Sequence, residues 1–146
     1  MSKRHEAFRS GLSADEYHRL TGFEGDWRDT WWDDEFLALM GKKWRLNEVK
    51  SVLDVGCGVG HWGQRLMRHT GPDTTLVGID AEEAWVAGAI ERAERLGLAE
   101  RCSYDVASAQ ALPGDDDAFD MVTCQTLLMH VPAGCVQSPP AGFGLG

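Results

Sequence analysis

Apolar and polar residues alternate in three different rhythms along the 146-residue chain. In TWWDDEFLALMGKKWRL (residues 30–46), Trp32, Phe36, Leu39, Met40 and Trp44 recur at three- and four-residue intervals. That is the spacing of one helical face. Thr30 followed by Asp33 has the form of a capping box, with acids filling the first turn. Lys42, Lys43 and Arg45 fill the last turn, which suits the helix dipole. Gly41 costs about 1 kcal/mol relative to alanine, which leaves room for a break there.

From residue 51 the rhythm changes. SVLDVG, TLVGID, CSYDVAS and FDMVTCQTL are short apolar runs of strand type. Between the first three lie HWGQRLMRHTG, which ends in Gly71 and Pro72, and AEEAWVAGAIERAERLGL, closed by Gly97 as in a glycine C-cap. Such alternation predicts an α/β fold, a parallel sheet flanked by helices and joined by right-handed crossovers. The last stretch, PAGCVQSPPAGFGLG, has no charged residue and no periodicity. The chain thus divides into a helical extension (1–47), a ligand-binding α/β unit (48–131) and a disordered tail (132–146).

Composition narrows the function. The chain is 43% hydrophobic and 25% charged, as a globular domain should be. A net charge of −9 argues against nucleic acid or an anionic membrane as partner. No apolar run approaches the roughly 18 residues that span a bilayer. The first residues, MSKRHEAFRSG, have no apolar signal-peptide core. Cys57, Cys102, Cys124 and Cys135 are scattered, and predict reduced, mostly buried thiols of a cytoplasmic protein.

The chemistry concentrates after the first strand. Gly56, Cys57, Gly58, Val59 and Gly60 form a loop ahead of a helix. Glycine there permits positive φ and close approach of a ligand to the backbone. Gly58–Gly63 also fits G-x-G-x-x-G, the dinucleotide fingerprint. Asp54 stands at the mouth of this loop. Its carboxylate would repel a pyrophosphate but suits a ligand carrying an ammonium and a sulfonium. Asp54 has a second available role, tying down the loop through backbone N–H groups. Asp80 ends the second strand, at the spacing from which an acid reaches a ribose diol. Asp105 lies in the third, where an acid accepts from an adenine amino group while a backbone N–H meets the ring. Three acids at three successive strand ends point to one site.

VLDVGCGVG, VGID, SYDVASAQALP and FDMVTCQTLLMHV together resemble the first four motifs of class I S-adenosylmethionine-dependent methyltransferases, nearest to the small-molecule, type 11-like group. The resemblance covers about residues 50–131. It implies a Rossmann-like fold with strand order 3-2-1-4-5-7-6, of which four strands fall within this sequence. It places Asp54, Gly56, Cys57 and Gly58 at the methionine side, Asp80 at the ribose and Ala81 against the adenine. Asp105 and Val106 then hold the adenine edge, with Gln125 near the methyl group. The cofactor implied is S-adenosylmethionine, and the partner a small-molecule methyl acceptor. The family's further strands have no counterpart after LLMHV. This predicts a truncated form, with self-association through the exposed edge of the fourth strand and reduced or absent activity. A non-catalytic S-adenosylmethionine-binding remnant and an NAD-dependent oxidoreductase are the rival functions.

Other residues have two readings each. Trp62 and Trp85 pack the core or touch ligand. Tyr17, Trp27, Trp31 and Trp32 form a cofactor lid or a docking face. His130 is a proton shuttle or a structural histidine, and GDDDAF a solvated turn without a metal-ligand pattern.

Overall fold

The computed structural model describes residues 27–115, 117–125 and 127. Tyr17, His130, Cys135, the Trp27 side chain and the 132–146 tail lie outside the described residues. Four parallel strands form one sheet: β1 (Ser51–Val55), β2 (Thr75–Asp80), β3 (Cys102–Val106) and β4 (Met121–Cys124). Their order is β3-β2-β1-β4, the order that the family resemblance implies for these four strands. Helix α2 (His61–Leu66) follows β1, and α3 (Glu83–Arg95) joins β2 to β3.

The central strand β1 is buried on both faces, which its sequence SVLDV permits because only Asp54 is polar in its interior. Val52 joins Leu66, Met67, Leu76, Val86 and Ala89 in the core beneath α2 and α3. Leu53 and Val55 join Ile79 on the opposite face, where Phe119 and Leu127 pack. The register puts Leu53 beside Val77 and Val122, so the strands' carboxyl ends align at one edge. Asp120 fixes the other edge: its Oδ2 accepts from the Lys50 and Ser51 amides at 2.7 and 3.1 Å.

Gly78 and Tyr104 are register partners on β2 and β3. A Cβ on Gly78 would lie 2.5 Å from the Tyr104 ring. The bare backbone of β2 is what admits the ring. The helix after β1 is shorter than HWGQRLMRHTG suggests: α2 stops at Leu66 and a 3-10 turn, Met67–His69, completes it. The predicted glycine cap of α3 is present. Gly97 has φ +71° and the Leu98 amide donates back to the Ala93 carbonyl at 2.8 Å, the bond of a Schellman motif.

The N-terminal helix differs from its sequence reading in three ways. It begins later: α1 is Asp34–Lys43, and Asp33 is its N-cap, accepting from the Phe36 amide at 2.7 Å. Trp27–Trp31, which contains Thr30, is a separate 3-10 turn. Most of the expected apolar stripe faces outward, with Phe36 58%, Leu39 64% and Trp44 44% exposed, while Trp32 and Met40 are half-buried. The buried residues are instead Leu37 and Gly41. Gly41 does not break the helix. A Cβ there would touch Leu46 and His69 at 3.4 and 3.5 Å, so the glycine face is the contact face. Periodicity located an amphipathic element but not which side the rest of the chain covers. Docking relies on a few contacts: Trp32 packs on Trp62 with ring centroids 5.6 Å apart, and Arg65 pairs with Asp34 at 2.8 Å.

Candidate functional site

The nine residues singled out in the sequence converge at the carboxyl ends of the four strands, where open α/β sheets bind ligands. Gly56, Gly58 and Gly60 all have positive φ, between 54° and 82°. The turn is closed by the protein itself. The amides of Gly56 and Cys57 both donate to the Ile79 carbonyl, at 2.8 and 2.9 Å, and Gly60 donates to Cys57. Gly58 donates to Asp80 Oδ2 at 2.9 Å. Four loop N–H groups are therefore already engaged within the protein and are not offered to a pyrophosphate.

Asp54 does not stand at the mouth of the loop. It is 1% exposed, beneath the loop on the α2 face. Gly63 makes room for it; a Cβ on Gly63 would lie 2.6 Å from Asp54 Oδ2. Burial, with the charge of Asp80 adding to it, pushes the Asp54 carboxyl up to about 7, while a Gly63 backbone hydrogen bond opposes the rise. Oδ2 has no hydrogen-bond partner among the described residues. The carboxyl thus faces Gly63 of α2 from beneath the loop, with Oδ2 buried and unsatisfied among the described residues.

Asp80 is more than a strand-end acid. Oδ2 holds Gly58, and Oδ1 accepts from the Glu82 amide at 3.0 Å. Burial raises its pKa, opposed by these backbone hydrogen bonds. Each carboxylate oxygen retains a further lone pair, so ribose hydroxyls remain within its capacity. Removal of Asp80 would leave the Gly58 and Glu82 amides without these acceptors.

The remaining residues divide by exposure. Ala81, Asp105 and Val106 are exposed along the same edge, and Gln125 is half-buried just beyond β4. The Ala107 amide donates to the Asp80 carbonyl at 3.0 Å, which sets the β3 end against the β2 end. Cys57 is buried, its thiol toward the Gly58 carbonyl at 3.4 Å. Burial pushes that thiol up, so its contribution to a site is its backbone. Cys102 is also buried, whereas Cys124 is exposed.

Trp62 donates from Nε1 to Thr123 Oγ1 at 2.9 Å. Its packing against Trp32 favours the docking reading of these aromatics over the lid. No group of three or more metal-ligating side chains occurs among the described residues, and Asp116 of GDDDAF lies outside them. No described helix is long and apolar enough to cross a membrane.

Sequence reasoning missed a second set of residues beneath the loop: Asp29, His61, Gln64, Arg92 and Tyr104. Arg92 donates to Asp29 and Gln64 at 2.5 and 2.6 Å, and Gln64 donates to Tyr104 at 2.9 Å. His61 faces Asp29 through Nδ1 at 3.1 Å. Burial lowers the His61 pKa, partly offset by Asp29. A neutral ring with the proton on Nδ1 fits this contact. Asp29 and Arg92 are 63 positions apart, so spacing carries no trace of their pairing.

A parallel sheet in this order, flanked by helices and with an internally closed glycine turn after β1, defines a Rossmann-like α/β domain. Residues 46–136 match the family model described as a methyltransferase domain, and the chain belongs to that family. It is 40% identical over 81 residues to the methyltransferase GfsG of Streptomyces halstedii, covering 56% of this chain and 28% of that protein. It is 34% identical over 90 residues to the ubiquinone/menaquinone biosynthesis C-methyltransferase UbiE of Geobacter sulfurreducens, covering 56% and 35%. The solved structure of a SAM-dependent methyltransferase from Aquifex aeolicus superimposes with a TM-score of 0.53 at 27% identity, covering 60% of this chain and 46% of that one. The chain spans about a third of the length of these two curated relatives.

Proposed function

We propose that this chain forms the S-adenosylmethionine-binding part of a methyltransferase that acts on a small molecule. The observation that carries the reading is the loop's hydrogen bonding. Its amides at Gly56, Cys57, Gly58 and Gly60 are spent inside the protein. The group left beneath it is an unsatisfied carboxylate oxygen on Asp54. That combination suits a ligand with an ammonium and a sulfonium and no phosphate. It weighs against the NAD-dependent reading.

In this reading Asp54 supplies negative potential beneath the methionine end, and Gly58 lets the ligand approach the backbone. Asp80 accepts from the ribose, Ala81 and Val106 flank the adenine, and Asp105 accepts from its amino group. Gln125 stands near the methyl group. The sulfonium of the bound cofactor supplies an already activated methyl group. The protein's share is to hold an acceptor in line, and such positioning accounts for much of the rate in reactions of this kind. A base is required only for an acceptor that must lose a proton, and no residue is assigned to that role. The partner we propose is a small molecule, with a second copy of the chain at the β4 edge. The buried thiols Cys57 and Cys102 suit the reducing cytoplasm.

Calorimetry with S-adenosylmethionine, S-adenosylhomocysteine and NAD tests the reading. Saturable binding of the first two and none of NAD is expected. Binding of NAD with no response to S-adenosylhomocysteine overturns it. Binding without methyl transfer to any quinone-precursor acceptor supports the remnant reading instead.

A further inference from the structure

The network beneath the loop is built around one side-chain amide. Gln64 is 1% exposed. Its Nε2 donates to the Ala89 carbonyl and to the Tyr104 hydroxyl, both at 2.9 Å. Its Oε1 accepts from Arg92 Nη1 at 2.6 Å. These contacts admit a single amide orientation, because a flipped amide would set Oε1 against a carbonyl and NH₂ against a guanidinium. The orientation is enforced from outside: Arg92 Nη2 pairs with Asp29 Oδ2, and His61 holds the other oxygen of the same carboxylate. Asp29 belongs to the N-terminal turn Trp27–Trp31.

Gly60, the last glycine of the loop, rests on this amide. An ideal Cβ on Gly60 would lie 2.5 Å from Gln64 Nε2 and 3.1 Å from the Tyr104 hydroxyl. The Gln64 backbone amide also donates to the Gly60 carbonyl at 3.0 Å. The height of the loop above the sheet is therefore set by Gln64, and Gln64 is set by Arg92 and Asp29.

We propose that Asp29, Arg92 and Gln64 act as positioning residues for the cofactor loop, so that docking of the N-terminal turn on α2 and α3 determines the loop's geometry and its ligand affinity. The affinity arm rests on the methyltransferase reading above; the structural arm does not.

The test compares the full chain with Asp29→Asn, which keeps the shape and removes the charge, and with Asp29→Glu, which restores the charge. Asp29 lies at the outer end of the network with its side chain 19% exposed, so the substitution spares the core. Hydrogen exchange is measured on the free protein, and S-adenosylhomocysteine binding by calorimetry. Asp29→Asn is expected to speed exchange of the amides at 57–61 selectively over those of β1 and β2. It should weaken binding roughly tenfold, equivalent to about 1.4 kcal/mol, with Asp29→Glu recovering most of both. Asp33→Ala, which removes the α1 cap, is the control for nonspecific destabilisation. Loop exchange that rises no more than in this control overturns the proposal. If the unmutated protein binds no S-adenosylhomocysteine, the methyltransferase reading fails and the exchange arm still decides the positioning role. If Asp29→Asn does not fold, Arg92→Lys replaces it, with the same pair of outcomes.

Discussion

At the residue scale, the site's chemistry turns on Asp54. A carboxyl whose pKa rises from 3.8 to about 7 on folding is bound to a proton that the unfolded chain has already released between those values. The folded state then holds more protons, so this group's contribution to stability falls as pH rises through that window and is lowest above it. At about 1.4 kcal/mol per pKa unit the penalty amounts to a few kcal/mol. Asp54→Asn should therefore gain stability over the parent protein on going from pH 5 to pH 8, as read by thermal unfolding of the two side by side. Parallel curves would refute the burial argument. Sequence reasoning found Asp54, Asp80 and Asp105 because strand ends can be counted along the chain. It misplaced Asp54 because depth depends on Gly63, nine positions on, lacking a side chain. It missed Asp29 and Arg92 because a buried ion pair across 63 positions has no local signature.

At the element scale, the strands were the most legible. Each is a short apolar run bounded by polar or glycine residues, and in β1 and β2 burial on both faces leaves little choice of conformation. Helix α1 was legible as a helix but not in its orientation, since Phe36 and Leu39 satisfy helical spacing and yet face solvent. What decides is the docking contact through Trp32, Leu37 and Gly41, and it involves residues of α2 and its following turn. Helix α2 offers a sharper test of packing against propensity. Gly63→Ala would gain about 1 kcal/mol in helix propensity. The new methyl would lie 2.6 Å from Asp54 Oδ2 and 2.9 Å from Leu76 Cδ1. Overpacking of that kind costs about 1–3 kcal/mol, and the carboxylate has nowhere to move. A net loss of stability is expected in denaturant titration; a net gain would show that the Asp54 chamber is slack.

At the scale of the whole molecule, the parallel α/β class followed from the alternation of strands and helices and the strand order from the family resemblance, and the family model covers the same α/β unit. Among the described residues, β4 pairs with β1 alone, and Val122 on it is 57% exposed. Such an edge invites another chain. We expect the protein to associate at raised concentration and Val122→Lys to suppress it, as followed by light scattering; concentration-independent monomers in the parent protein would rule this out. The contact between Gly78 and Tyr104 reaches beyond this one molecule. Because a single methyl on β2 would collide with the ring on β3, the two positions cannot drift independently in a lineage. A descendant acquires a side chain at 78 only after tyrosine at 104 has given way to something smaller. The order of substitution is thereby constrained, and recombining β2 of one homologue with β3 of another will succeed or fail on that pair.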